Sequence, residues 1–240
     1  MFITFSAADN FWYDLLRFLP RFAEWQTGTS TVRRRLAWDF VKDYPHIVAY
    51  YFHVRFTTFK KHVLCPLLNI VDSWDRYEWQ GRGSTHNHGL YWVGNAPDPD
   101  VELGPSATEA CIKRLGQYWA NTIFAVHPEP LGPDAAPTVL DDATPLSLPF
   151  DQMAFDNQEL SSILTRCYIH RCIPSYCLRK DKRTRNLVCR FRAPWPARTE
   201  PTFEIPSGKR HRRFEPVRNH LRLNPYHLAL VLGWRANTDI

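Results

Sequence analysis

Residues 74–93 read WDRYEWQGRGSTHNHGLYWV, two aromatic-rich runs on either side of Gly81-Arg82-Gly83-Ser84. Glycine-rich turn chemistry between runs of strand composition predicts a β-hairpin. In the second run His86 and His88 are separated by one residue. Strand side chains alternate faces, so both imidazoles project from the same side of the sheet. Glu78 and Gln80 share a face of the first run in the same way. With residues 81–85 as the loop, Gln80 lies opposite His86 and Glu78 opposite His88, and four groups converge on one spot. Two imidazoles with a carboxylate or amide oxygen, and positions left for water and phosphate, suit Mg²⁺ or Mn²⁺ acting as a Lewis acid. His-x-His pairs also occur on strands with no chemistry attached, and the spacing alone leaves both readings open.

Working outward, Phe2–Phe5 have the aromatic and β-branched content of a short strand. A helix capped by Asp9 or Asn10 follows, with Trp12, Leu15, Leu16 and Leu19 on one face and Pro20 ending it. A second helix runs from the Thr/Ser cluster at 29–31 to Tyr44-Pro45. From about His46, the positions Ile47, Val48, Tyr51, Phe52, Phe56, Phe59 and Val63 recur at helical spacing, predicting a long amphipathic helix packed on a sheet. Ser106-Ala107-Thr108-Glu109 fits a capping box ahead of a helix carrying Ile112, Leu115 and Trp119. Asn224-Pro225 offers an N-cap and a first-turn proline for a helix through Leu228, Val231 and Leu232. These elements predict an α+β fold, with an antiparallel sheet flanked by helices.

Cys167, His170, Cys172, Cys177 and Cys189 crowd into 167–189. Soft ligands at this density suit tetrahedral Zn²⁺ in a closed structural site, and five candidates compete for four places. Simple buried thiols are the other reading. Cys65 and Cys111 stand apart and are expected to be small core residues. Residues 163–222 hold sixteen Lys and Arg against Asp181, Glu200, Glu204 and Glu215, although the whole chain of 240 residues carries only +6. Clustered positive charge suits a polyanion, because phosphate contacts release counterions. Arg179, Lys180, Lys182, Arg183 and Arg185 form a basic loop near Tyr176, Phe191 and Trp195, the composition of a single-strand groove in which bases stack and phosphates are neutralised. Aromatics packed under a zinc knuckle, with the charges left wet, would give the same composition, and a mixture of the two is expected.

Three strings together carry a family resemblance. EWQGRGSTHNHGLYWV resembles the His-hydrophobe-His strand of Helitron initiator proteins, FITFSAADNFW resembles their first-strand motif, and NPYHLALVLGWRANTDI resembles the segment before their catalytic helix. The chain is thus similar to the helicase-like N-terminal (Rep) domain of Helitron rolling-circle transposases. That resemblance implies an HUH-endonuclease-like, ferredoxin- or RRM-related core with a small basic zinc module. It implies His86 and His88 as metal ligands, Glu78 or Gln80 as the third, and His170, Cys172, Cys177 and Cys189 as the zinc set, with Cys167 as the alternate. It also implies single-stranded DNA as the partner, contacted by Arg82 and by the basic loop. In the family a tyrosine hydroxyl attacks a phosphodiester while the histidine-bound metal polarises the phosphate, leaving a 5′-phosphotyrosine and a free 3′-hydroxyl.

The sequence departs from the family twice. Asn87 stands where an apolar side chain is favoured, and a buried amide costs about 1–3 kcal/mol unless it finds partners. The family's nucleophilic tyrosines follow the WRANTDI-like segment, at which this chain stops. Tyr226 is read as part of the preceding helix, does not match that motif and is expected to pack. The organisation read from the sequence is residues 1–126 as the first part of a Rep-like domain with the hairpin 74–93, 127–156 as a loop-rich connection, 157–200 as the zinc knuckle, and 201–240 as a part leading toward the tyrosine helix. A chain starting directly on a strand and stopping before that helix reads as an incomplete copy, with catalysis not expected from it alone. No phosphate-binding GxxxxGK[ST] loop, HExxH helix or deaminase HxE with CxxC is present, so no nucleotide cofactor is expected. No apolar run approaches the roughly 20 residues of a membrane span. Nuclear residence is expected from the family's work on DNA, and Lys209-Arg210-His211-Arg212-Arg213 reads as a targeting cluster or a phosphate contact.

Overall fold

The computed structural model describes residues 1–80, 84–104, 106–129, 131–132, 135, 146, 150–174, 176–204 and 212–240. The chain divides into two compact units, one from Met1–Ala96, Thr138–Cys167 and Leu228–Ile240, the other from Pro97–Pro137 and Tyr168–His227.

The first unit is built on a four-stranded antiparallel sheet. Its strands are β1 (Phe2–Ser6), β2 (Ile70–Gln80), β3 (Ser84–Val93) and β8 (Thr238–Asp239), in the order β2-β3-β1-β8. The helices between β1 and β2 are α1 (Tyr13–Leu16), α2 (Phe22–Thr27), α3 (Ser30–Asp43), α4 (Pro45–Phe59) and α5 (Cys65–Leu68). The mixed α+β class and the antiparallel sheet are thus as the sequence predicts. Val48, Phe52, Phe56 and Phe59 of α4 are buried, and Phe5 of β1 meets Phe56 and Phe59 edge-on at centroid distances of 5.4 and 6.0 Å. Burying four large side chains on one helix stripe contributes roughly 1.5–3 kcal/mol each, which sets that helix against the sheet. Trp234 of α9 (Leu228–Trp234) is fully buried, and its indole N–H donates to the Ser6 carbonyl at 2.8 Å. α8 (Asn157–Ile163) packs on α9, where Glu159 and Arg235 form an ion pair with both side chains almost wholly buried. Gly89 of β3 is required by sterics, because a Cβ there would lie 2.2 Å from the Tyr91 hydroxyl.

Local predictions differ from the structure at several points. Trp12, Leu15, Leu16 and Leu19 are buried as expected, but α1 is a single turn whose N-cap is Trp12 with no side-chain cap bond. Asp9 does not cap it; its carboxylate accepts from Ser84 at 2.8 Å instead. α3 is capped by Thr29, within the Thr/Ser cluster. The long helix from Pro45 loosens into a π-helical turn over Lys60–Leu64 before α5. Pro66, with no N–H to donate, follows that turn.

The second unit holds α6 (Pro99–Glu102), α7 (Glu109–Ala120) and two short antiparallel hairpins. These are β4 (Leu178–Lys180) with β5 (Leu187–Cys189) and β6 (Thr202–Glu204) with β7 (Arg213–Glu215). The N-cap of α7 is Thr108, which accepts from the Cys111 N–H, rather than Ser106 two residues earlier. Asn224-Pro225 caps nothing. Tyr226 bridges to Phe124 in β fashion and lies outside any helix, with its hydroxyl donating to the Val126 carbonyl at 2.7 Å. Its side chain is buried, as packing requires. Cys65 and Cys111 are half-buried rather than core residues. Of the basic cluster 209–213, residues 209–211 lie outside the described residues.

Candidate functional site

Strand alternation divides the sheet of the first unit into two faces. On the covered face Phe5, Tyr77 and Asn87 stand side by side, since Asn87 pairs with both of the others. On the opposite face His86 pairs with Ser6 and Glu78, and His88 pairs with Thr4 and Arg76. The sequence register was therefore wrong by two residues. Gln80 pairs with Ser84, leaving 81–83 between the strands, because Ser84 and Thr85 extend β3 where a longer loop was expected. A slip of two preserves the faces, so Glu78 still meets the histidines. It does so diagonally, with Oε2 2.9 Å from His88 Nε2. The side chain of Gln80 and the whole of Arg82 lie outside the described residues.

His88 Nδ1 lies 3.0 Å from the Thr4 hydroxyl, and the His88 ring stacks on Phe2 at 6.0 Å. Because Nε2 faces the Glu78 carboxylate it carries the proton and donates to it, and Nδ1 of the neutral ring accepts from the Thr4 hydroxyl; a metal at Nε2 would displace that proton. His86 Nδ1 is buried with no hydrogen-bond partner among the described residues. Burial also holds the His86 imidazole below its usual pKa and favours the neutral form. Asp239 pairs with Thr4 from the other edge of β1. Burial of its carboxyl raises its pKa, offset first by the Asn237 amide, which donates to it at 3.2 Å, and then by His86 and His88. The 2.9 Å contact between Glu78 and His88 is a hydrogen bond, and His86, His88, Glu78 and Asp239 are not drawn together as tightly as the Cys/His cluster of the second unit, so a divalent ion there would require the side chains to close on it. Asp239 is the functional candidate that the sequence reading missed. It comes from a two-residue strand at the far end of the chain, and nothing local marks it.

Between the histidines Asn87 is fully buried, and neither its Oδ1 nor its Nδ2 has a hydrogen-bond partner among the described residues. The expected cost of an amide at this apolar position is therefore present in the fold.

A second cluster is built in the second unit. Cys177 precedes β4 and Cys189 closes β5, and the register Leu178↔Cys189 brings them to one end of the hairpin. His170 and Cys172 complete a set whose ligand atoms all lie within 4.8 Å of one another. His170 Nε2 is 3.5 Å from Cys172 Sγ and 3.3 Å from Cys189 Sγ. Zinc bond lengths give tetrahedral edges of about 3.5 Å for such ligand pairs, so the four residues could hold a metal such as zinc. The Ile173 N–H donates to Cys177 Sγ at 3.1 Å, orienting that sulfur. Among the described residues this is the only group of three or more His, Cys, Asp or Glu drawn together so tightly. Cys167 is not among the four.

At the other end of the same hairpin Asp181 accepts from the Arg183 and Thr184 N–H groups at 3.0 and 2.7 Å. These bonds hold its carboxyl below the usual range and shape the basic loop. Arg179, Lys180, Lys182, Arg183 and Arg185 are all exposed. The Arg190 guanidinium lies 4.5 Å from the rings of both Tyr176 and Phe191, which are exposed, whereas Trp195 is half-buried against His170. Phe191, although exposed, also meets the His170 ring edge-on at 5.5 Å.

Residues 1–91 match the family model described as the Helitron helicase-like domain at the N-terminus. The match covers 91 of the 240 residues, and this part of the chain is similar to that domain. The matched residues include β1, β2 and both histidines; the cysteine cluster and the closing NPYHLALVLGWRANTDI lie outside them. No curated protein and no solved structure matches the chain. Among the described residues no helix is long and apolar enough to cross a membrane.

Proposed function

We propose that the chain is the phosphate-activating part of a Helitron-type Rep (HUH) endonuclease, which binds single-stranded DNA and prepares a phosphodiester for nicking in rolling-circle transposition. The observation that carries this reading is one face of the sheet, on which Glu78 lies across from His86 and is hydrogen-bonded to His88. His86, His88 and Glu78 would hold Mg²⁺ or Mn²⁺, with Asp239 alongside. Bound there, the ion would supply Lewis-acid polarisation of a phosphate oxygen. Thr4 holds the His88 ring in place, and Arg76, on the same face, offers positive charge to the phosphate. In the second unit His170, Cys172, Cys177 and Cys189 would hold structural Zn²⁺. The basic hairpin loop would neutralise phosphates, while Tyr176 and Phe191 take stacked bases.

The test is Mn²⁺ binding followed by electron paramagnetic resonance, compared between the native chain and a His86→Ala/His88→Ala double variant. Binding is expected in the first and absent in the second; equal binding overturns the assignment. Salt-dependent binding of a single-stranded oligonucleotide without Mn²⁺ binding would instead identify a non-catalytic, zinc-containing DNA-binding remnant.

A further inference from the structure

The sheet of the first unit runs β2-β3-β1-β8, so β2, eleven residues long, is an edge strand. A long open edge is a ready template for pairing with another chain. Which main-chain groups of β2 are open follows from β3. The Tyr91 N–H donates to the Met1 carbonyl, and the Thr85 carbonyl accepts from the Ala7 N–H. Odd-numbered residues of β3 therefore turn toward β1, and even-numbered ones toward β2. Asp72, Trp74, Arg76 and Glu78 pair with even-numbered residues and turn inward, which leaves Ser73, Asp75, Tyr77 and Trp79 turned outward. The start of this edge is closed. The register shifts between Ile70 and Asp72, and the Ser73 N–H donates to the Asp72 carboxylate at 2.8 Å. Beyond that point the outward main-chain groups of Asp75, Tyr77 and Trp79 have no partner among the described residues.

An open run centred on Tyr77 pairs completely with an identical run about a two-fold axis through Tyr77, with Asp75 opposite the partner's Trp79. The same register sets Arg76 opposite the partner's Glu78, and does so twice. Arg76 is exposed, with no ion-pair partner among the described residues. Glu78 is also exposed and commits only Oε2 to His88, so its other oxygen is left for a second cation. Opposite charges directly across two strands stabilise the pairing, and like charges destabilise it. Moving the axis to Arg76 or to Glu78 would set like charges face to face. The open main-chain groups and the charges thus select one register independently. We propose that the outer edge of β2 pairs in this register with β2 of a second copy of this chain, joining the two four-stranded sheets into one. Trp79, 61% exposed in the single chain, then lies diagonal to the partner's Tyr77, within aromatic reach. The axis stands normal to the sheet, so both histidine pairs face the same side. Under the nicking function proposed above, two such sites would share one surface; the pairing itself does not rest on that function.

Sedimentation equilibrium of the full chain in reducing buffer, from about 1 to 100 μM, tests the pairing. A reversible monomer–dimer equilibrium is expected, because an interface made by a strand edge is small. Arg76→Glu should weaken the dimer about tenfold or more, since it turns two opposite-charge pairs into like-charge ones. The double variant Arg76→Glu/Glu78→Arg restores opposite charges across the axis and should recover the dimer. Trp79→Pro removes an outward N–H that β3 does not use, so it should weaken the dimer with its circular dichroism unchanged. Should Trp79→Pro not fold, the charge variants, both at exposed positions, decide alone. A chain that stays monomeric throughout overturns the proposal and leaves the edge to a strand of another protein. A dimer indifferent to Arg76→Glu, or to a folded Trp79→Pro, places the contact elsewhere and overturns it too. A double variant that fails to recover the dimer overturns the register.

Discussion

Replacing Asn87 should make the protein more stable. The residue sits on the covered face of the sheet between Tyr77 and Phe5, is fully buried, and leaves both amide heteroatoms without partners among the described residues. Each unsatisfied buried group of this kind costs about 1–3 kcal/mol. Asn87→Val removes both, adds a β-branched side chain suited to a strand, and gains roughly 0.8 kcal/mol for each buried methylene equivalent. Against this, the changed shape meets a packed core of phenylalanines, and overpacking costs about 1–3 kcal/mol. The net expectation is about 1–3 kcal/mol of added stability, measured by urea denaturation with an unchanged slope. For a chain of this size each kcal/mol shifts the melting midpoint by roughly 2–4 °C, so a scan should show a rise of several degrees. Because the side chain faces away from His86 and His88, Mn²⁺ affinity should not change. An Asn87→Val protein less stable than the parent would refute the reasoning, by showing that the amide is satisfied after all.

Three further outcomes are expected. Glu159→Ala deprives Arg235, 3% exposed, of its buried carboxylate and should cost about 3–5 kcal/mol in denaturant melts, and a loss under about 1 kcal/mol would contradict the pairing. Elemental analysis should find one zinc per chain, lost in Cys177→Ser and kept in Cys167→Ser; the opposite pattern would redraw the ligand set. Burial pushes the Asp9 carboxyl from 3.8 up to about 6, so the native chain holds that proton more tightly than the unfolded one. Stability from this group should therefore be complete near pH 4 and lost as pH rises through about 6, on the order of 3 kcal/mol, and Asp9→Asn should flatten that slope.

The parts of the fold that the sequence made legible are those ruled by periodicity. Phe52, Phe56 and Phe59 fall on one helical stripe, and the two aromatic runs about Gly81–Ser84 alternate as strands do, so the helix, the hairpin and the shared face of the histidines could be read directly. Capping was read less well. Asp9 and Ser106 have cap chemistry, yet tertiary contacts outweighed it at Asp9, whose carboxylate serves Ser84 instead, and Thr108 competed with Ser106 from two residues away. The cysteine cluster was legible because it crowds into 23 residues; spacing alone left five candidates for four places, and the four that the family resemblance named are the four the structure draws together.

The candidate metal site shows why a register error need not destroy a correct site. Side chains on a strand repeat every two residues, so a slip of one would have sent Glu78 to the covered face, while the actual slip of two kept it among the histidines. What the slip changed is the partner: Glu78 lies directly across from His86 and reaches His88 on the diagonal. That rearrangement favours Glu78 over Gln80 as the oxygen ligand, since Gln80 pairs one further step away, with Ser84. It also leaves room on the β1 side, which Asp239 fills from a strand about 150 residues later in the chain. Two carboxylates flanking two imidazoles would bind a divalent ion with a net neutral site, whereas Glu78 alone would leave the site with a charge of +1. Asp239→Asn should therefore weaken Mn²⁺ without abolishing it, and Glu78→Gln should weaken it more, because Glu78 lies across from His86 and is hydrogen-bonded to His88. If Asp239→Asn proves the more damaging of the two, the carboxylate on β8 is the true third ligand and the diagonal contact of Glu78 is an ordinary ion pair.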